Sequence, residues 1–145
     1  MSDAPLQVVA ALLLREGRLL LARRGPGMDL QGCWEFPGGK VERGETAGAA
    51  LERELEEELG IRTRSLFHLA TSDFDASDGR TIRLEGWLTR LEGGEPEARE
   101  HDALAWLLPE QVDRASLAPA DGPLLDALIV HLADARGSDP APPRS

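Results

Sequence analysis

The ten residues from Leu51, LERELEEELG, contain five glutamates: Glu52, Glu54, Glu56, Glu57 and Glu58. Placed on a helix at ~100° per residue, Ala47, Leu51, Leu55 and Leu59 form an apolar stripe about 120° wide. Glu54, Glu57 and Glu58 then fall within an arc of about 100° that overlaps the edge of this stripe. Glu54 stands at i,i+3 to Glu57 and at i,i+4 to Glu58, so the three carboxylates converge, while Glu52 and Glu56 lie round the solvated side. A glutamate-rich helix is ordinarily just a solvated face. Here each like-charged pair costs ~0.2–0.5 kcal/mol, and more when partly buried. Arg53 can pair with Glu57 but cannot neutralise three carboxylates, so a cluster placed beside the core calls for a cation. Ligands made only of oxygen select a hard ion, Mg²⁺ or Mn²⁺, over zinc.

The elements that must hold this helix in place can be read from turn residues and apolar spacing. Leu6 to Leu14 is an apolar run that reads as a strand buried on both faces, joined by a tight turn at Arg15-Glu16-Gly17-Arg18 to a second strand, Leu19 to Ala22. A Gly/Pro-containing loop, Gly25 to Gly32, leads to a short strand, Cys33 to Phe36, stopped by Pro37-Gly38-Gly39. The helix is expected over Ala47 to Leu59, with Gly60 as its C′ residue. Strands are expected from about Ser65 to Asp73 and Thr81 to Leu91, around a turn at Asp78-Gly79, and again at Ala103 to Leu107. A helical turn at Pro109 to Val112 precedes an amphipathic helix, Gly122 to Ala135, with Leu125, Leu128, Ile129 and Leu132 on one face. From Gly137 the chain reads GSDPAPPRS, a polar, Pro-rich tail expected to be disordered, which leaves 1–136 as one domain. Helices and strands interleave, and the early hairpin argues against an all-parallel sheet. The expected class is α/β, a mixed sheet covered by helices.

With 145 residues the chain has the size of one domain. Its net charge of −10 argues against a nucleic-acid backbone as partner, but a small polyphosphate is acceptable where metal ions neutralise the carboxylates. Much of the acidity needs no further role than solubility. The single cysteine, Cys33, excludes a disulfide framework and a Cys-rich zinc site. With no run long enough for a bilayer span and no signal-like segment at the start, the expectation is a cytoplasmic protein with no membrane partner, as a monomer or homodimer.

Around the helix the spacing is specific. Gly39, five residues to Glu45, seven to Arg53-Glu54-Leu55, one to Glu57-Glu58 and one to Gly60-Ile61 resembles the Nudix box at every specified position. The resemblance implies an α/β/α sandwich on a mixed sheet. It also implies that Glu54, Glu57 and Glu58 bind Mg²⁺, with Mn²⁺ as a possible substitute, and that the backbone carbonyl of Gly38 adds a ligand. Glu45 and Arg53 would orient the box. The implied chemistry is metal-assisted attack of water on phosphorus, with one box glutamate, Glu54 or alternatively Glu57, taking the proton.

The likeness extends from Leu6 to about Leu132, and WEFPGGKVERGET is similar to MutT-type enzymes, which remove oxidised guanine nucleotides. That similarity implies a phosphate contact for Arg23 and a base pocket containing Phe36, Leu6, Val8, Arg80 and Ile82, with Lys40 also among the substrate-binding candidates. Glu100, six residues before Trp106, would be an added metal-binding or base carboxylate. Taken alone, Leu6, Val8 and Ile82 are simply core residues, Trp34, Trp87 and Trp106 read as packing, and His101 as neither ligand nor acid. MutT has an asparagine where this chain has Asp121. An ionised aspartate only accepts hydrogen bonds, which suits the amino edge of cytosine and repels guanine O6 unless the acid is protonated or the base turns. Asp121 could equally cap the last helix. The segments EHDALAW and LAPADGPLL resemble the CTP pyrophosphohydrolase branch. The implied function is Mg²⁺-dependent cleavage of a nucleoside triphosphate to monophosphate and pyrophosphate, acting on 8-oxo-dGTP, on (d)CTP and its modified forms, or on both. Hydrolysis of dinucleoside polyphosphates or of ADP-ribose/NADH, and a silent nucleotide-sensing module, are the alternatives.

Overall fold

A computed structural model of the chain describes residues 4–76 and 78–138. The first hairpin forms as its turn chemistry requires. Strands β1 (Leu6–Arg15) and β2 (Arg18–Arg23) are joined by Glu16 and Gly17, both at positive φ (52° and 79°), the backbone of a two-residue hairpin turn. The two strands stay paired only near the turn, at Leu14–Leu19 and Arg15–Arg18. Beyond it they splay, and residues 34–40 fill the gap. Here β3 (Trp34–Glu35) pairs with Ala22 and Arg23 of β2, and β4 (Gly38–Lys40) pairs with Val8 to Ala10 of β1. The Ala11 N–H donates to the Pro37 carbonyl between them at 2.8 Å.

The glycines expected to stop a strand therefore form one. Gly38 can do so because it has no side chain: a Cβ there would lie 1.9 Å from the Val9 carbonyl oxygen.

On its other side β1 runs parallel to β6 (Thr81–Gly93), from Leu6 opposite Ile82 to Leu14 opposite Arg90. Strand β5 (Arg62–Asp75) is antiparallel to β6 and forms one edge, and β7 (Ala103–Leu107) pairs antiparallel with β2 near the other. The sheet is mixed, as expected. Both long strands exceed the range expected for them, because the Arg62–Gly93 and Asp75–Thr81 pairings carry the ladder to its ends.

Each face of the sheet takes one helix. Helix α1 spans Ala47–Leu59. Its N-terminus is capped by the Thr46 hydroxyl, which accepts from the Ala49 N–H at 3.2 Å. At the other end Gly60 takes φ 69° and donates to the Glu56 carbonyl. Its Ala50, Leu51, Leu55 and Leu59 bury against Val9, Ala11 and Leu13 of β1, while Ala47 packs at the edge. Helix α2 (Gly122–Ser138) covers the opposite face through Leu124, Leu125 and Leu128, against Ala10, Leu12 and Leu84. Strand β1 is thus buried on both faces, and each fully buried leucine contributes roughly 1.5–3 kcal/mol.

One correction concerns α2. Leu124 and not Ile129 completes its buried face: Ile129 is 36% exposed and Leu124 0%. Gly86 of β6 explains this rotation, since a Cβ there would sit 3.0 Å from a Leu124 methyl. The helix also continues through Gly137 and Ser138, which were expected to begin the tail; residues 139–145 of that expected tail lie outside the described residues. Among the described residues no helix is long and apolar enough to cross a membrane.

Candidate active site

The hub of the glutamate helix is Arg53. Its guanidinium donates to both oxygens of Glu45 at 2.7 and 2.9 Å, to Glu54 at 3.0 Å, to Glu57 at 3.2 Å and to the Lys40 carbonyl at 3.2 Å. Those bonds from Arg53, helped by the Glu42 N–H, hold the Glu45 carboxyl at a pKa of about 2. Glu45 in turn raises the Arg53 pKa further. Glu45 and Arg53 therefore form a fixed brace joining the loop before α1 to the helix.

Glu54 lies against the backbone of Gly39. A Cβ at Gly39 would stand 2.3 Å from Cδ of Glu54, so the glycine makes the space that this carboxylate occupies. Burial raises the Glu54 pKa; Arg53 opposes the rise, and the charges of Glu57 and Glu100 add to it. Glu58 is shifted further. Its Oε2 is buried with no hydrogen-bond partner, and burial, followed by the charges of Glu54, Glu100 and Glu35, pushes its pKa to about 8.

A carboxylate with one buried oxygen left without a partner, pressed by three other carboxylates, is an arrangement that a cation would relieve. Among the described residues no three His, Cys, Asp or Glu side chains are grouped closely enough to hold a metal ion as they stand. Glu57 explains part of this, since it is turned out to Arg53 and its side chain is 61% exposed. The donors nonetheless fit a hard cation. Glu58 offers a free buried oxygen, Gly39 leaves Glu54 room, and the set contains no sulfur or nitrogen. Of the two glutamates expected to be merely solvated, Glu56 is exposed, but Glu52 accepts the Ser65 N–H at 2.8 Å and ties α1 to β5.

A cleft of about 1010 Å³, of the order of small-molecule sites, is lined by residues of β1, β4, β5, β6 and the turn before α2. Gly38, Gly39, Lys40 and Glu58 line one part, and Leu6, Val8, Phe36, Ile82, Leu84 and Phe74 make an apolar wall. Asp121 lines it too, at the end of a short 3-10 turn, Pro119–Asp121, that leads into α2. It is 4% exposed, and its Oδ2 accepts the Phe36 N–H at 2.9 Å. Burial pushes its pKa to about 7; the Phe36 N–H opposes the shift, Glu35 adds to it and Arg24 subtracts. A smaller hollow of about 620 Å³, bordered by Glu52, Arg62 and Glu92, includes none of these groups.

Gly38, Lys40, Glu58, Phe36, Ile82 and Asp121 thus meet in one cleft. Glu45, Arg53, Glu54 and Glu57 of the helix site do not line it, and neither do Arg23, Arg80 and Glu100. Arg23 bonds to Asp102 at 2.6 Å and lies over the Trp34 ring, 5.6 Å from its centroid. Arg24, on the other side of the strand's alternation, lines the cleft instead and donates to Glu35 at 2.8 Å. Arg80 stands in the turn between β5 and β6, where its N–H donates to Asp78. Glu100 is exposed but close enough to raise the pKa of both Glu54 and Glu58.

Sequence reading missed the Arg24–Glu35–His101 chain. Glu35 pairs with Nε2 of His101 at 2.8 Å, and the Nδ1 of this 6% exposed histidine is buried without a partner. The available signal was a carboxylate between two aromatic residues, Trp34 and Phe36, in a strand whose partner ends at Arg23 and is followed by Arg24.

A family model described as NUDIX domain matches residues 4–128. The chain is 45% identical over 134 residues to the CTP pyrophosphohydrolase of Escherichia coli, covering 92% of this chain and 98% of that protein. To the 8-oxo-dGTP diphosphatase of Haemophilus influenzae it is 34% identical over 125 residues, covering 86% of this chain and 91% of that one. The solution structure of the E. coli ORF135 protein superposes with a TM-score of 0.78 at 43% identity, covering 92% of this chain and 94% of that one.

Proposed function

The chain belongs to the Nudix family, and from that premise we propose that it hydrolyses nucleoside triphosphates to monophosphate and pyrophosphate, clearing oxidised or otherwise modified nucleotides. One observation carries the reading: a single cleft joins Glu58, with its partnerless buried oxygen, to an apolar wall that includes the buried Asp121. A triphosphate needs a cation-holding end, and a base needs a flat apolar slot with a polar reader.

Glu54, Glu57, Glu58, Glu100 and the Gly38 carbonyl would hold Mg²⁺. When bound, Mg²⁺ neutralises phosphate charge and makes a bound water more acidic. The chain's own residues do the rest. Arg53 and Glu45 brace the helix so that Glu54 stays in the space left by Gly39. Glu54 is the proton acceptor favoured by that fixed position, with Glu57, exposed and drawn to Arg53, as the alternative. Lys40 and Arg24 border the cleft as phosphate-binding cations, and Arg24 is better placed for this than Arg23. Phe36, Leu6, Val8 and Ile82 receive the base.

The E. coli and H. influenzae relatives are named for CTP and for 8-oxo-dGTP respectively, and Asp121 accounts for both chemistries. Ionised, it accepts from an amino edge. With its pKa pushed to about 7, it is also substantially protonated near neutrality and can then donate to a carbonyl oxygen. The substrates are accordingly (d)CTP and its modified forms, 8-oxo-dGTP, or both. The test is a nucleotide panel with Mg²⁺, scored for pyrophosphate and for orthophosphate, on the wild type and on Asp121→Asn. Pyrophosphate release, with a dCTP to 8-oxo-dGTP ratio that changes in the variant, supports the reading. An unchanged ratio refutes the role of Asp121, and no turnover of any triphosphate refutes the function.

A further inference from the structure

Helix α1 ends unfavourably. Its last turn contains Glu56, Glu57 and Glu58 and no basic residue, so negative side chains crowd the negative end of the helix dipole. Its last four carbonyls, from residues 56 to 59, lack partners within the helix, and the Gly60 N–H serves that of Glu56 alone. The distant segment 94–102 supplies several of them. The Arg99 guanidinium donates to the carbonyls of Glu56 and Glu57 at 3.3 and 3.4 Å, and the Glu97 N–H donates to the Leu59 carbonyl at 3.0 Å. Gly60 makes room for this approach: a Cβ there would lie 2.5 Å from an Arg99 nitrogen, a constraint additional to its positive φ.

The residue after Arg99 is Glu100, and the chain on its far side is pinned as well. His101 is held by Glu35, and Asp102 is bonded through both backbone and carboxylate to Arg23. Glu100 itself is exposed, with no core packing to place it. Its position relative to the helix is therefore set by its flanks; Glu97 and Arg99 both touch the helix, and Arg99 is the contact next to Glu100.

We propose that Arg99 is a positioning residue: by capping the C-terminus of α1, it fixes the place of Glu100 relative to Glu54 and Glu58. The inference rests on the functional reading above in taking Glu100 as part of the cation-holding set. Removing Arg99 frees Glu100 without altering any ligand side chain.

The experiment measures Mn²⁺ binding without nucleotide, by the electron paramagnetic resonance signal of free Mn²⁺. It compares the wild type, Arg99→Ala, Arg99→Lys, Glu100→Gln and the Arg99→Ala/Glu100→Gln double variant, with melting temperatures recorded for each. Arg99→Ala is expected to raise the Mn²⁺ Kd about 10-fold, as losses of ligand-orienting contacts do. In the Glu100→Gln background the same change is expected to do nothing, because its effect runs through Glu100. Arg99→Lys keeps the charge but loses the fork, and should fall between. If Arg99→Ala fails to fold, Arg99→Lys carries the same comparison. An unchanged Kd in Arg99→Ala, an equal loss in both backgrounds, or a Glu100→Gln protein with wild-type affinity overturns the proposal. Intact coupling in a protein that turns over no triphosphate supports it while refuting the functional reading.

Discussion

Replacing Gly39 by alanine would put a methyl carbon 2.3 Å from Cδ of Glu54 and 2.5 and 2.7 Å from its oxygens. Carbon atoms in contact need ~3.5 Å, so the carboxylate must retreat by about 1.2 Å or more. It can do so cheaply in folding terms, because it is the far end of a flexible side chain. Its chemistry cannot follow, since a displacement of ~1 Å at a reacting group costs on the order of 10²-fold in rate, or about 2.7 kcal/mol. Gly38→Ala is the contrasting control. There the new methyl would stand 1.9 Å from the Val9 carbonyl oxygen, and backbone in a central strand cannot move aside. The assay pairs pyrophosphate release with thermal melting. Gly39→Ala should lose about 100-fold in kcat with a melting temperature close to wild type, whereas Gly38→Ala should lose stability first. A fully active Gly39→Ala protein would refute the claim that this glycine exists to seat Glu54. So would a Gly39→Ala protein destabilised as much as Gly38→Ala.

Two further predictions concern pH. Asp121 has a folded-state pKa of about 7 against an ordinary 3.8, so the folded chain holds this proton more tightly and loses stability as pH rises from about 4 to 7. Urea denaturation across that range should show the slope, and Asp121→Asn should lessen it, the raised Glu58 supplying the rest; an unaltered slope would remove Asp121 as a source. Glu58, pushed to about 8, must release its proton to serve as a ligand, so the rise in melting temperature on adding Mg²⁺ should grow between pH 6 and 9. Glu58→Gln should abolish most of that growth, and a Mg²⁺ effect independent of pH would argue against Glu58 as a ligand.

The features legible in the sequence are those fixed by short-range spacing. Helix α1 ends at Ala47 and Leu59 as its stripe and Gly60 require, and the hairpin turn follows from Glu16-Gly17. The brace of Glu45, Arg53 and Glu57 was likewise implied by box and helix spacing. What escaped depends on contacts between distant segments. The β4 strand exists because β1 and β2 splay, and glycines that look like a stop are what allows its backbone to approach Val9. Arg24 lines the cleft, while Arg23 is bonded to Asp102, 79 residues away. The pairing of Glu35 with His101 spans 66 residues, and no local period encodes it. Ile129 loses its expected place because a missing side chain at Gly86 draws Leu124 inward. Glu57 pairs with Arg53 as its spacing suggests, and shares that nitrogen with Glu54, but its side chain is 61% exposed where those of Glu54 and Glu58 are partly buried.

The most direct test of the central claim is a chromatographic separation of all products from one nucleoside triphosphate, with Mg²⁺ and with chelator, for the wild type and Glu58→Gln. Equal amounts of monophosphate and pyrophosphate, formed only with Mg²⁺ and reduced about 100-fold or more in the variant, are the predicted result. Diphosphate with orthophosphate, or turnover that survives chelation, would contradict it.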